Sequence, residues 1–293
     1  DRKFEERLKQ MDQALLERAQ QHYAWEREQL ALAEARINDR LKGIKERIEE
    51  FKEAHPGTQA FALASLELSA LSKKQKLIYP TVRFDGENST GTGVIVFKEN
   101  SGDKNRYLIL TAYHVIKSIF SSTPGDVKSV KTTIFEQEKK QEVAAEIIDK
   151  QEDLDLALLR FESADDLAVA ELATVEEFHR ATLFTPVYTV GCPLENDPYP
   201  TFGEIAGINY IYGTQRFYQI TAPAYFGNSG GGVFLSGNLK LIGIYVKLVT
   251  LTQHGRLNGP ATVIAHMGIM VTLDDIAKWL TSIGHGFIIP NSK

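Results

Sequence analysis

From Leu77 to Val271 the apolar residues recur at every second position in about a dozen short runs rich in Val, Ile, Tyr, Phe and Thr, each bounded by Gly, Asn, Asp or Pro. A period of two places alternate side chains on opposite faces of a pleated backbone, and it predicts strands near 77–84, 92–98, 106–111, 129–137, 142–149, 156–161, 186–190, 203–212, 216–221, 232–236, 240–248 and 261–271. So many short strands need an arrangement that hides their edges, which points to barrels or a sandwich. Past the last run, Leu273 to Ile283 reads as a closing helix with Thr272 as its N-cap.

Upstream the pattern differs. From Asp1 to about Ala54 there is no proline and a single glycine, Gly43, while Glu, Lys, Arg, Gln, Ala and Leu dominate. Phe4, Leu8, Met11 and Leu15 fall on one helical stripe, as do Ile37, Leu41, Ile44, Ile48 and Phe51, whereas Trp25 and Leu30 break the phase between them. The same stretch carries 12 basic and 13 acidic side chains, suited to solvated flanks. A continuous helix of this length would extend roughly 80 Å, well beyond a compact domain. Self-association into a homo-oligomer, a helical hairpin, packing on its own domain and binding of a helical partner are the readings left open for residues 1–54. His55-Pro56-Gly57 ends the helix, and a short amphipathic piece comes next, over about Ala60 to Leu71. The expected organisation is therefore a helical, coiled-coil-like region over 1–55, a linker with a short helix over 56–76, and a β domain over 77–293.

A formal charge of −5 leaves no basic excess to neutralise phosphates, so nucleic acid is not an expected partner. No run of about 18 apolar residues occurs, which argues against membrane insertion through a spanning helix, and the charged opening does not read as a secretory signal. The compartment is left open. With one cysteine, Cys192, no intramolecular disulfide can form and burial alone must hold the core.

Three segments carry chemistry. Phe226-Gly227-Asn228-Ser229-Gly230-Gly231 sets a serine among glycines in a loop between two strand-like runs. A nucleophilic serine must present Oγ to a carbonyl while main-chain N–H groups face the oxygen that gains charge, and glycine neighbours permit the backbone angles this needs. Gly227, Asn228 and Ser229 form the candidate oxyanion segment, with the N–H groups of Gly227 and Ser229 as its donors. Taken alone, the string also reads as a plain turn. Leu110-Thr111-Ala112-Tyr113-His114-Val115 puts a histidine at a rigid strand end, where a general base belongs. Asp153-Leu154-Asp155-Leu156-Ala157-Leu158-Leu159 sets a carboxylate directly before an apolar strand; Asp155 adjoins it, and Asp153 lies two positions farther out. An aspartate there is otherwise a turn residue. The remaining histidines, at 22, 55, 179, 254, 266 and 285, show no metal-ligand spacing, so neither a metal nor another cofactor is expected.

In the order His, Asp, Ser these motifs resemble the trypsin-fold serine proteases, most closely the disulfide-free HtrA (DegP-like) branch, over about Leu77 to Leu280. Gly91-Thr92-Gly93 and Val190-Gly191-Cys192-Pro193 fit the same pattern. The resemblance implies a mainly β fold of two six-stranded antiparallel β-barrels with a C-terminal helix, here preceded by the long α-helical region. It also implies a catalytic His114, Asp155 and Ser229 at the barrel interface, where a protein or peptide substrate pairs as a strand, and hydrolysis through an acyl-enzyme. Tyr113 departs from the small residue usual before the histidine. The stretch after the closing helix is too short for a PDZ module, so regulation by such a peptide-sensing domain is not expected.

By order along the implied fold, the wall of the substrate pocket for P1, the residue before the cleaved bond, comes from Pro223-Ala224-Tyr225, Ile244-Tyr245-Val246 and Gly268-Ile269-Met270. Ala224, Tyr225, Tyr245, Gly268 and Met270 are its candidate contacts. No acidic residue occurs there, so a neutral or medium apolar P1 is expected, with Tyr245 and His266 as candidate hydrogen-bonding groups. A catalytically silent peptide-binding module, a latent enzyme and a helical scaffold protein are the competing accounts.

Overall fold

The computed structural model describes residues 42, 43, 45–47, 50, 68–87, 89–122, 128–136, 139–212, 214–251 and 262–290. The chain divides into two compact units, Asp1–Ala70 and Leu71–Lys293. In the first unit the described residues are helical, and Arg47 Nε donates to the Gly43 carbonyl one turn back at 3.0 Å. The two apolar stripes expected within residues 1–54, and with them the coiled-coil reading, lie outside the described residues.

Among its described residues the second unit holds twelve strands in two closed, wholly antiparallel barrels. The first comprises β1 (Thr81–Asp85), β2 (Thr90–Ser101), β3 (Lys104–Ala112), β4 (Ser129–Glu136), β5 (Lys139–Gln151) and β6 (Leu156–Ser163), paired in the order β1-β2-β3-β6-β5-β4 and closed by β1 on β4. The second comprises β7 (Pro186–Gly191), β8 (Tyr199–Tyr212), β9 (Gln215–Ile220), β10 (Gly232–Leu235), β11 (Leu241–Leu251) and β12 (Thr262–Thr272), in the order β10-β11-β12-β9-β8-β7. Closure gives every strand a partner on both sides, which is how a dozen short strands avoid open edges. Both faces of the strands are packed: Phe84, Val94, Ile109, Leu110 and Leu158 in the first barrel and Val190, Ile205, Phe234, Ile244 and Val271 in the second are fully buried.

The strands expected from the sequence are present, several of them longer than expected by a few residues at their ends, and the first begins later. Residues Lys74–Ile78 form a single π-helical turn rather than the start of β1, and Thr81 Oγ1 donates to the Leu77 carbonyl at 2.7 Å. Pro80 has no N–H to give to a ladder, so pairing begins only at Thr81.

Among the described residues, α-helices α1 (Tyr113–Ser122), α2 (Val175–His179) and α3 (Leu273–Ser282) accompany the barrels. Thr272 caps α3 as expected, its Oγ1 accepting from Asp275 N at 3.3 Å. The connection between the barrels is stitched to both of them: Ala170 N–H donates to the Ile95 carbonyl at 2.8 Å and Ala173 N–H to the Leu241 carbonyl at 3.0 Å. Among the described residues no helix is long and apolar enough to cross a membrane, and no group of three or more His, Cys, Asp or Glu is placed to hold a metal ion.

Candidate active site

β3 ends at Ala112 and α1 begins at Tyr113, so His114 sits on the first turn of a helix that starts where a fully paired strand stops. Opposite it, the tight turn before β6 carries Asp155 with φ of +56°, a left-handed conformation that costs a residue with a side chain about 1 kcal/mol or more. Two main-chain bonds hold that turn, from Tyr113 N–H to the Asp155 carbonyl (3.0 Å) and from Asp155 N–H to the Glu152 carbonyl (3.1 Å). The result is that the carboxylate faces back across the strand ends. Its Oδ1 accepts the main-chain N–H of His114 at 2.7 Å, and its Oδ2 lies 2.6 Å from His114 Nδ1.

An ionised carboxylate only accepts, so Nδ1 carries the proton and the lone pair of a neutral imidazole is on Nε2, away from Asp155. The Asp155 side chain keeps 30% of its exposure and that of His114 49%, so this is a half-open pair. Tyr113 is half-buried against the core, and Lys150 Nζ donates to its hydroxyl at 2.9 Å and lies 4.6 Å from the ring centroid.

The serine loop precedes β10. Gly227 (φ +98°) and Gly230 (φ +88°) both occupy backbone conformations that favour glycine, on either side of Asn228-Ser229. Of the N–H groups of residues 227–231, Asn228 donates to Tyr225 O (3.1 Å), Gly230 to Tyr245 O (2.7 Å) and Gly231 to Asn228 O (2.9 Å), leaving those of Gly227 and Ser229 without a main-chain acceptor among the described residues. Their directions derive from the trans peptide, in which C=O and N–H point oppositely. The Phe226 carbonyl accepts from Leu194 N–H at 2.9 Å, which turns the Gly227 N–H away from the Leu194 loop. The Asn228 carbonyl is drawn towards Gly231, which turns the Ser229 N–H the other way. Asn228 itself uses its N–H internally and buries its side-chain amide with no partner among the described residues.

Thr92, on β2 of the first barrel, holds this loop of the second. Its N–H donates to the Ser229 carbonyl (2.8 Å), its hydroxyl donates to the Gly227 carbonyl (2.6 Å) and accepts from Cys192 N–H (2.8 Å), and its carbonyl accepts from Thr111 Oγ1 (2.6 Å). All of its polar groups are used and it is fully buried. In the sequence, Gly91-Thr92-Gly93 fits the family pattern, but nothing there marks the bonds that Thr92 makes. Gly230 explains how close the barrels come here: a Cβ on it would lie 1.9 Å from the Thr92 carbonyl oxygen and 2.2 Å from Thr111 Oγ1. The residue after Ser229 thus packs on the β3 end that leads into His114. Ser229 Oγ has no hydrogen bond among the described residues, so His114 and Asp155 are joined while the contact between serine and histidine is not made. Such contacts often tighten only with substrate bound.

Beside the loop, Pro193–Glu195 forms a short turn in which Leu194 (φ +52°) and Glu195 (φ +65°) are both left-handed, held by Leu194 N–H on Phe226 and by Arg83 Nη1 donating to the Glu195 carbonyl at 2.6 Å. Cys192, immediately before it, is fully buried, and burial pushes its thiol up to about 12. Of the expected P1 wall, Ala224, Tyr245 and Met270 are fully buried, Gly268 is buried, and Tyr225 turns outward with 47% exposure. His266 is exposed, its Nδ1 3.2 Å from the Thr221 carbonyl oxygen.

The sequence profile of the trypsin-like peptidase domain matches residues 91–244, which spans all three motifs. No curated protein matches the chain. Among solved structures, the crystal structure of Deg5 is similar with a TM-score of 0.56 and 19% identity, covering 75% of this chain and 97% of that one. The HtrA-type protease AlgW with tripeptide is similar with a TM-score of 0.54 and 19% identity, covering 74% of this chain; this chain spans 62% of AlgW's length. At such identities the likeness establishes the fold.

Proposed function

Because the chain belongs to the trypsin-like peptidase domain family, we propose that it is a serine endopeptidase, with Ser229 as nucleophile, His114 as general base and Asp155 as the group that orients the base. The observation that carries this reading is the double grip of one carboxylate on His114, through main-chain N–H and ring Nδ1. That grip fixes the tautomer whose free Nε2 can take a proton.

In the proposed reaction Ser229 Oγ attacks the scissile carbonyl carbon as His114 Nε2 takes the hydroxyl proton, and Asp155 stabilises the imidazolium that forms. The carbonyl oxygen becomes an oxyanion facing the Gly227 and Ser229 N–H groups, which have no competing main-chain acceptor among the described residues. Collapse breaks the C–N bond, with His114 giving its proton to the leaving amine. Water, activated by the same imidazole, then attacks the acyl-enzyme ester and releases the acid and Ser229. No step requires a cofactor.

The test is hydrolysis of a denatured protein such as casein, with fragments sequenced. Cleavage that is lost in Ser229→Ala, with folding retained, supports the reading; cleavage that survives in Ser229→Ala sinks it. Peptide binding without any turnover would favour the silent binding module instead.

For residues 1–54 the proposal is self-association through the Ile37, Leu41, Ile44 and Ile48 stripe, with assembly regulating the peptidase. Replacing Leu41, Ile44 and Ile48 together by Gln should lower the mass in solution by light scattering. An unchanged mass would count against it.

A further inference from the structure

Side chains alternate along β1: Val82 and Phe84 are fully buried, and Arg83 and Asp85 share the other face. The two form a fork in which Arg83 Nε donates to Asp85 Oδ1 at 2.6 Å and Nη2 to Oδ2 at 3.3 Å. Thr133, opposite Arg83 on β4, donates its hydroxyl to the same Oδ2 at 2.8 Å. A guanidinium is planar, so a carboxylate that takes two of its nitrogens also aims the third. That third nitrogen, Nη1, leaves the first barrel and donates to the Glu195 carbonyl, between β7 and β8 of the second, at 2.6 Å.

The turn that Arg83 reaches lies directly against the candidate oxyanion segment. A Cβ on Gly227 would lie 2.5 Å from the Cys192 carbonyl oxygen and 3.1 Å from Leu194 N. Leu194 and Glu195 are left-handed in succession, which residues with side chains adopt at a cost, and residues 194–197 are all exposed, so packing does not hold them there. Hydrogen bonds do. Within the turn, Asn196 N–H and Nδ2 both donate to the Pro193 carbonyl, at 3.0 and 2.9 Å. From outside come the Phe226 carbonyl on Leu194 N–H at 2.9 Å, Arg83 on the Glu195 carbonyl, and Lys140 Nζ at 2.7 Å from Asp197 Oδ1. The lysine pair joins two side chains that are more than half exposed, a kind of contact that contributes little, whereas the Arg83 side chain keeps only 17% of its exposure.

We propose that Arg83 is a positioning residue for the oxyanion hole: through the Glu195 carbonyl it keeps the Leu194 N–H on the Phe226 carbonyl, and so keeps the Gly227 N–H turned to the substrate oxygen. The proposal rests on the serine endopeptidase reading. A trans peptide transmits the hold, because a Phe226 carbonyl fixed at Leu194 points the Gly227 N–H the opposite way. Without the guanidinium, the Leu194-Glu195 turn is free to relax to right-handed backbone. The Leu194 N–H moves with it, and the Phe226-Gly227 peptide loses the bond that fixes its direction. Arg83 touches no substrate in this account and acts only through the main chain of Glu195, Leu194 and Phe226. Its effect therefore falls on the transition state, where the oxygen carries charge, more than on substrate binding.

The experiment is kcat and KM on fluorescein-labelled casein for the full chain, Arg83→Met and Arg83→Lys, with Ser229→Ala as blank and a melting curve for each. Methionine keeps the apolar stem without the guanidinium, and lysine keeps the charge but has one nitrogen where Arg83 spans both Asp85 and Glu195. Each should lose roughly tenfold in kcat with KM within about twofold, less than the ~10²–10³ lost with an oxyanion donor itself. Adding Glu195→Gly to Arg83→Met should return at least about threefold of that kcat, because glycine takes the left-handed backbone without the cost that Arg83 offsets. An arginine that only stabilises the fold would lower the melting temperature and leave kcat unchanged well below it. Unchanged kcat in the folded variants, a loss carried by KM, or no recovery with Glu195→Gly overturns the assignment while leaving the Ser229 reading in place. Cleavage by the unaltered protein equal to the Ser229→Ala blank removes the endopeptidase reading, and this proposal falls with it.

Discussion

The carboxylate of Asp155 holds His114 twice, by Oδ1 on the main-chain N–H at 2.7 Å and by Oδ2 at 2.6 Å from ring Nδ1. Position and tautomer of the imidazole are thereby set by one residue, itself kept in a left-handed conformation by Tyr113 and Glu152. Asp155→Asn retains the shape but can present an N–H to the ring in place of an acceptor, which favours the wrong tautomer. Peptidase kcat should fall by roughly 10⁴-fold with little change in thermal stability. Stopped assays on purified protein beside a melting curve check both halves.

Thr92 predicts a different signature. Thr92→Val keeps the volume but orphans the buried Gly227 carbonyl and Cys192 N–H, at about 1–3 kcal/mol each. It should lower stability by about 2–6 kcal/mol in urea unfolding. Loosening the Gly227 peptide should also lower kcat more than it raises KM, because an oxyanion donor acts in the transition state. Thr92→Ser, which keeps the hydroxyl, should restore most of both; a serine variant no better than valine would show that the hydroxyl is not what matters.

Gly230 makes a steric prediction. A methyl there would lie 1.9 Å from the Thr92 carbonyl oxygen, on a residue whose φ is +88°. Gly230→Ala should cost about 4 kcal/mol or more, separating the barrels or preventing folding. Near-normal stability of that variant by calorimetry would contradict the close approach described for the two barrels.

Much of the fold is legible in the chain, for reasons that can be named. The strands can be read because closed barrels bury one face of each, which writes a period of two into the sequence, and because turns between them demand Gly, Asn, Asp and Pro. Thr272 can be read as a cap because the first turn of the helix after it leaves the Asp275 N–H without a helical acceptor, and a threonine hydroxyl supplies one. The five-residue α2 is not expected from the sequence, being too short to show a helical period, yet it starts on a capping box: Thr174 Oγ1 accepts from Glu177 N and Glu177 Oε2 accepts from Thr174 N. The π-helical turn at Leu77 is hidden, since Leu77-Ile78-Tyr79 has strand-like residues and only the missing donor of Pro80 argues otherwise. At the candidate site, the serine, histidine and aspartate stand out by their flanking glycines and strand ends. Neither the left-handed Asp155, the four bonds of Thr92, nor the Arg83 bond to the Glu195 carbonyl leaves a mark in local sequence, because each depends on a segment far along the chain.

Cys192 offers a pH test independent of catalysis. Burial raises its thiol from 9.0 to about 12. The folded state therefore favours the neutral thiol, an advantage intact below about pH 9 and lost as pH rises from there through about 12, where the unfolded chain ionises first. In native protein at pH 8 a disulfide reagent such as Ellman's should leave Cys192 unmodified for hours, and in denaturant it should react at once. Rapid modification of the native protein would mean that the Cys192-Pro193 turn opens.

The most direct test of the account is covalent labelling of the purified chain by a fluorophosphonate probe, which needs a nucleophile, a base and an oxyanion site together. The account predicts labelling on Ser229, absent in Ser229→Ala and strongly slowed in His114→Ala. A folded protein that takes no label, or takes it equally in Ser229→Ala, would contradict it.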